Sequence, residues 1–415
     1  MIGGVGSGRR LNTLRDVTAQ GNRSLYGRAV DFQLPPDDDP RRLAVRAWLH
    51  ANPKSTPVAL AEAGYVAPHW PAPYGLGADP VHQVIIDEEL AAAGVRRPNN
   101  PIGIGWAGPT LLYGGTEVQK LRYLPRLLSG EDFWCQLFSE PGSGSDLASL
   151  STRARRDGDE FVVDGQKTWT SGAQFARYGI LIARTDPDLP KHRGISYLIC
   201  PMDLPGIEIR QITEITGGHT FNEVFFTDVR IPAENLVGDL NDGWRLAKVT
   251  LGNERVSLST GGVLWGMGPT ALQVLETLRA DGPIIDPHIR QRLASVHTEH
   301  VLLDLIRLRT VSARLRGGQP GPEASVRKIL ADEHGQHVMA AARDLLAAAA
   351  MLTDDEWYDG FMFSQALTIG GGTGNVQRNI VAERVLGLPA DVDEHSGMTW
   401  ATARAAGFHQ RDSEK

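Results

Sequence analysis

The chain has 415 residues, 41% hydrophobic and 22% charged, with a formal net charge of −7. That size and composition exclude wholesale disorder and allow a large buried core spread over two or three domains. The acidic balance argues against nucleic-acid binding, and two cysteines, Cys135 and Cys200, are too few for a disulfide scaffold or a Cys-rich metal site.

Residues 1–34 are rich in Gly, Arg and Ser without periodicity and are expected to form a flexible arm. Residues 1–12 lack the apolar run of a signal peptide, and the longest apolar stretch, Leu345–Leu352, is too short to span a bilayer. A cytoplasmic protein without membrane insertion is the expectation. Asp37–Asp39 followed by Pro40 read as a helix cap with proline in the first turn, predicting a helix over Arg41–His50. Helical spacing continues through Val81–Ala93, Pro109–Leu112 and Glu117–Leu128, with Gly and Pro punctuating between, as in WPAPYGLG at 70–77. Residues 35–133 therefore read as a helical domain.

The texture changes near Phe133. Seven short strand-like runs follow: Trp134–Phe138, Thr152–Arg155, Glu160–Val163, Gly179–Arg184, Ile195–Pro201, Ile207–Gln211 and Glu223–Thr227. They predict a β-barrel or sandwich over 134–238. From Gly243 the helical period returns in Trp244–Leu258, Pro287–Leu315, Pro322–Leu352 and Arg378–Val385, giving a second helical domain over 239–390. Residues 391–415 are polar and expected to be a loose tail. The fold class is α+β, in the order helical, β, helical, with no internal repeat.

Some motifs are poor guides. Gly103-x-Gly105-x-x-Gly108 matches a dinucleotide-binding pattern but sits in a helical region without the strand that the pattern needs. His297/His300 and His334/His337 are spaced to face a metal, yet no third ligand is evident, and a solvated helix face is the simpler reading. Ser143 and Ser145 lack the GxSxG context of a nucleophile elbow.

Two segments carry more weight. In Ser139-Glu-Pro-Gly-Ser-Gly-Ser-Asp146, small residues and glycines let backbone N–H groups approach an anion. An ordinary Gly-rich turn is the competing reading. In Asp164-Gly-Gln-Lys-Thr-Trp-Thr-Ser-Gly172, Trp169 stands among small polar residues, either as core or as the cover of a flat aromatic cofactor.

With WPAPYGLG (70–77), FSEPGSGSD (138–146), DGDEFVVDGQKTWTSGA (157–173), FNEVFFTDVRIPAENLVG (221–238) and GGGTGNVQRNI (370–380), the chain resembles the acyl-CoA dehydrogenase family over about residues 37–390. The resemblance implies an N-terminal helical domain, a central β-barrel or sandwich domain and a C-terminal four-helix bundle. It implies FAD and α,β-dehydrogenation of an acyl-CoA thioester to the trans-2-enoyl-CoA, with electrons passing to an electron-transfer flavoprotein. It implies further that Gln136, Phe138, Ser139, Gly144 and Ser145 contact flavin or the pantetheine arm. Trp169 and Ser171 would lie against the flavin ring and its N5 edge, Thr373 and Asn375 in a second flavin-binding loop, and Arg255 near the CoA end.

Two departures stand out. Many family members carry a glutamate base where this chain has Gly371, which leaves that position as backbone along the substrate. Isovaleryl- and long-chain-type members instead take the base from the place of Glu254, in Leu251-Gly-Asn-Glu-Arg-Val256. Glu254 is the expected catalytic base; its plain alternative is a surface ion pair with Arg255. The second departure is the absence of the Arg-x-x-Phe-Gly and Gln-x-x-Gly-Gly segments that complete a neighbour's FAD site in family homotetramers. Here those regions read Leu278-Arg-Ala-Asp-Gly-Pro-Ile-Ile285 and Asp344-Leu-Leu-Ala-Ala348. The resemblance is therefore to the base-bearing chain of actinobacterial α2β2 dehydrogenases acting on steroid side-chain or similarly bulky thioesters, with a homotetramer as the alternative. A carrier-protein thioester as substrate, reoxidation by O₂, and a non-catalytic structural subunit are the other readings.

Overall fold

The computed structural model describes residues 35–258, 268–280, 282, 286–315, 321–322, 324–346, 356–390, 392 and 395–413. The arm expected at 1–34, and residues 281, 283–285 and 347–355 within the regions discussed above, lie outside the described residues.

Among the described residues five α-helices come first: α1 (Pro40–Ala51), α2 (Pro57–Glu62), α3 (Pro80–Ala92), α4 (Gly108–Gly114) and α5 (Glu117–Ser129). Their starts follow capping chemistry. Asp39, Thr56 and Asp79 each precede a proline and accept a backbone N–H from the first turn. Thr116 and Gln119 form a reciprocal capping box on α5. The Gln119 side chain also donates to the carbonyls of Glu234 at 2.7 Å and Leu236 at 2.8 Å, tying α5 to the sheet. The glycines of the dinucleotide-like pattern do a packing task inside a π-helical turn, Gly103–Ala107. A methyl group on Gly108 would lie 2.1 Å from the Trp70 ring, and one on Gly103 2.4 Å from the Asn100 amide.

The centre is an eight-stranded sheet ordered β6-β7-β3-β2-β4-β5-β8, with β1 parallel to β4. The strands are β1 (Trp134–Leu137), β2 (Arg153–Asp157), β3 (Glu160–Lys167), β4 (Tyr178–Arg184), β5 (Ile195–Pro201), β6 (Ile207–Gln211), β7 (Asn222–Pro232) and β8 (Leu236–Val237). β4 and β5 are buried on both faces, which is why they read as unbroken apolar runs. Alternate residues enter different cores. Ile180, Ile182, Tyr197 and Ile199 join the helices. Leu181, Ala183, Leu198 and Cys200 meet Phe161, Val163, Phe226 and Ile231 from β3 and β7, so the sheet folds over a second core as in a sandwich. The eighth strand, only two residues long, escapes a periodicity argument.

The C-terminal helices are α6 (Gly243–Leu258), α7 (Ala271–Ala280), α8 (Pro287–Leu315), α9 (Ala324–Leu346), α10 (Glu356–Ser364), α11 (Gly374–Ile380) and α12 (Trp400–Ser413). α9 is the hub, touching α6, α8, α10 and α11. The predicted helix over Pro322–Leu352 is found as α9, its last residues lying outside the described set. Of the pair His334 and His337, His337 is exposed, as a solvated face would have it, and His334 is not. Both Nδ1 atoms meet the Glu299 carboxylate of α8, at 3.0 and 2.9 Å, and His334 is buried. The expectation of a loose tail over 391–415 is corrected by α12, whose first turn bonds back to the β4–β5 connection. The correction was not legible because the contacts are non-local and few of the residues are apolar. Among the described residues no helix is long and apolar enough to cross a membrane, and no cluster of three or more His, Cys, Asp or Glu is arranged to hold a metal ion.

Candidate active site

β1 brings three distant parts of the chain together. Strand alternation turns Cys135 and Leu137 into the inner core and leaves Trp134, Gln136 and then Phe138 on the side of the helices. Gln136 Nε2 donates to Glu254 Oε2 at 3.4 Å, and Glu254 is only 8% exposed. This burial takes the Glu254 carboxylate off the exposed surface of the helix. Glu254 sits on α6; the side chain of its neighbour Arg255 lies outside the described residues.

One turn before Glu254, Thr250 anchors α6. Its hydroxyl lies 2.8 Å from that of Thr110 on α4, 3.1 Å from that of Tyr197 on β5, and 3.2 Å from the Leu246 carbonyl to which it donates. All three hydroxyl residues are fully buried, and burial raises the Tyr197 phenol well above its ordinary range, keeping it neutral. Phe138 meets the Tyr197 ring edge-on at 6.1 Å, so the same tyrosine braces β1. Thr250→Val is expected to cost about 1–3 kcal/mol, read as a lower thermal midpoint, because two dry hydroxyls lose a partner. An unchanged midpoint would remove this cluster as the support of α6.

The loop after β1 is fixed from beneath by a buried ion pair. Lys167 Nζ donates to the Phe138 carbonyl and to Glu140 Oε1, both at 2.9 Å. The Glu140 carboxylate also accepts the N–H groups of Ser151 at 2.6 Å and Thr152 at 2.9 Å. Burial alone would raise the Glu140 pKa; Lys167 and these donors outweigh it and lower the pKa. Ser143 closes the loop by donating to the Asp146 carbonyl at 2.7 Å.

The second segment runs alongside. Thr168 N–H donates to the Ser139 carbonyl at 2.9 Å, and Thr170 pairs with Asn222 through reciprocal backbone bonds at 3.0 Å. Between them Trp169 is 60% exposed with φ of +57°, a left-handed conformation that a bulky residue adopts at a cost. Trp169 is therefore not core. Its ring meets Phe221 edge-on at 6.0 Å, and Phe221 stacks parallel to Phe363 of α10 at 6.5 Å. This aromatic chain carries the β domain to the turn before the third segment, a turn whose Leu367 carbonyl accepts from the buried Lys328 of α9 at 3.1 Å. Gly371 and Gly372 follow in left-handed backbone, at φ +67° and +87°, and their carbonyls accept from Gln377 Nε2 at 3.1 and 3.3 Å. Thr373 caps α11 through its side chain.

The structure thus joins Gln136 to Glu254, Phe138 to Tyr197, and Ser139 to the Trp169 segment. Ser171 is half-buried beside Trp169; Gly144 and Ser145 stand exposed on their loop, and Asn375 is exposed in the first turn of α11. Sequence reasoning missed Thr110, Thr250, Tyr197, Lys167, Glu140, Phe221 and Gln377. Lys167 closes a strand that also carries Glu160, Asp164 and Gln166 and gave no signal; Thr250 did, a hydroxyl four residues before Glu254.

These surfaces fit a flat cofactor with an anionic tail such as FAD. A methyl group built on Gly142 or Gly144 meets nothing within 4 Å, so those glycines answer no packing need of this chain and leave backbone open to approach. Trp169 presents an exposed ring in strained backbone on the segment bonded to Ser139.

Comparison with known proteins agrees. The family models for the N-terminal, middle and C-terminal domains of acyl-CoA dehydrogenases match residues 41–131, 135–229 and 241–386. The chain is 45% identical to acyl-CoA dehydrogenase FadE34 of Mycobacterium tuberculosis over 392 residues, 94% of this chain but only 54% of that protein, so it spans about half of that relative. It is 40% identical to acyl-CoA dehydrogenase IpdE1 of the same organism over 337 residues, 80% of this chain and 87% of that protein. Among solved structures it resembles the Tcur3481-Tcur3483 steroid ACAD, with a TM-score of 0.72 and 31% identity over 84% of this chain and 97% of that one. The ChsE4-ChsE5 complex from Mycobacterium tuberculosis gives a TM-score of 0.71 and 31% identity, covering 87% of this chain and 100% of that one. The chain belongs to the acyl-CoA dehydrogenase family.

Proposed function

We propose that this chain desaturates the Cα–Cβ bond of an acyl-CoA thioester, with Glu254 as the base that removes the α-proton. The observation that carries the proposal is the buried Glu254 carboxylate held beside Gln136, where β1 runs into the Gly-rich loop. A carboxylate shielded from water and oriented by an amide donor is suited to accept a proton from carbon. Gly371, where many family members carry the base, has no side chain to serve. FAD, which the family binds, takes up the β-hydrogen as hydride when present. Phe138, Ser139, Trp169, Ser171, Thr373 and Asn375 would hold the flavin, with Gly144 and Ser145 at its phosphate end or along the pantetheine arm. Arg255 would serve the CoA end.

The substrate is proposed to be a bulky, steroid side-chain type acyl group, and the electron acceptor an electron-transfer flavoprotein. The likeness to a structure described as a steroid ACAD supports the first. A heteromer of two unlike chains is proposed because Leu278–Ile285 lacks Phe-Gly and Asp344–Ala348 lacks a Gly pair. The test is FAD content per chain, purified alone and then co-expressed with a second dehydrogenase-like chain. Little flavin alone and one FAD per pair of chains together is the expected result. One FAD per chain alone would overturn the heteromer and move the search to simple and branched acyl-CoAs on a homotetramer.

A further inference from the structure

α12 lies beyond residue 386, where the last family match ends, yet it is fastened to the β domain. The backbone N–H groups of Trp400 and Ala401 donate to the carbonyls of Leu189 at 2.8 Å and Pro187 at 3.0 Å, satisfying donors at its N-terminus. Trp400 Nε1 donates to the Ser149 carbonyl at 3.3 Å. Two guanidinium groups lie over its ring, those of Arg184 at 4.9 Å and Arg404 at 5.0 Å. Arg184 is buried and donates to the carbonyls of Ala148 at 2.6 Å, Lys191 at 3.0 Å and Arg193 at 2.9 Å. Arg404 reaches the Ser151 hydroxyl. Ser149 and Ser151 are thus held by α12, and Ala148 by the β4 residue Arg184, whose guanidinium packs on the Trp400 ring. Ala148, Ser149 and Ser151 form the C-terminal stem of the Gly-rich loop, the stem whose Ser151 and Thr152 N–H groups hold Glu140 from the other side.

We propose that Trp400 is a positioning residue through which α12 clamps the stem of the Gly-rich loop and so sets the affinity of that loop for the CoA thioester. This rests on the reading of the loop as a ligand contact. The clamp acts through pre-organisation: a loop with both stems fixed loses less conformational entropy when a ligand orders its tip.

The experiment compares wild type, Trp400→Ala and Trp400→Phe in the full chain, FAD-loaded and with any second subunit it requires. Amide exchange over residues 143–151 is read in the same preparation as KM and kcat for a CoA thioester. Trp400→Ala is expected to speed exchange there and raise KM roughly three- to tenfold, with kcat changed less than about twofold, as part of the loss of two cation–π contacts and one hydrogen bond reaches the loop. Trp400→Phe keeps the ring beneath the guanidiniums and is expected to recover most of both effects. Unchanged exchange would overturn the clamp. Faster exchange with unchanged KM would overturn its link to ligand affinity. Ser145→Ala, assayed in parallel, tests the loop reading alone: if it too leaves KM unchanged, the loop assignment has failed and the clamp has not.

Discussion

Glu254→Gln is expected to abolish most turnover, by roughly 10²- to 10⁴-fold, while FAD content stays at the wild-type level. Glutamine has the same shape and keeps the contact with Gln136, so α6 should not move. What it lacks is a basic oxygen for the α-proton. The flavin spectrum in the absence of substrate should therefore match wild type, and anaerobic addition of an acyl-CoA thioester should no longer bleach it. The Thr110–Thr250–Tyr197 cluster lies a full turn away from the substitution, which keeps a folding defect from mimicking the result. Turnover within a few-fold of wild type would remove Glu254 from the mechanism, and bleaching without turnover would place the defect after the chemical step.

Lys167→Met should be the most damaging change outside the reacting centre. It leaves the Glu140 carboxylate buried with two backbone donors and no cation in hydrogen-bond contact, and loses the tether to the Phe138 carbonyl. Breaking a buried pair from one side typically costs about 3–5 kcal/mol. In wild type the Glu140 pKa is lowered, so its ionised form contributes stability above the unfolded carboxylate pKa that is lost as pH falls through the folded value, while burial lowers the Lys167 pKa and limits the pair on the alkaline side. In the variant burial is no longer opposed by Lys167, the folded Glu140 pKa rises, and protonation relieves the buried charge. The thermal midpoint should thus fall sharply at neutral pH, and the gap to wild type should narrow toward pH ~4. A gap that widened on acidification would contradict this account, and Glu140→Gln/Lys167→Met should recover part of the loss.

Where local chemistry decides, the sequence was readable. Asp39-Pro40 and Asp79-Pro80 start their helices because a carboxylate and a proline satisfy the first turn without help from elsewhere. The runs over Ile195–Pro201 and Ile207–Gln211 coincide with β5 and β6. β8, α7, α10 and α12 were not legible because short or weakly amphipathic segments are stabilised by what they touch rather than by their own pattern. The resemblance marked Trp169 and Glu254, yet composition alone left both a functional and a bland reading open. Their exposure was set by packing alone: Trp169 stands out of the core, and Glu254 is taken out of water.

By itself the sequence determined the α+β order, the cap before Pro40 and the family. Each of these depends on residues within one or two turns of each other, or on motifs kept in linear order. The tertiary structure alone decided that Gln136 meets Glu254 across 118 residues, that Lys167 holds the loop stem through Glu140, and that Trp400 returns to Ser149 from 251 residues away. Such contacts are fixed by how helices and sheet pack, and their physical basis, dry hydrogen bonds and paired charges, exists only once packing has removed the water.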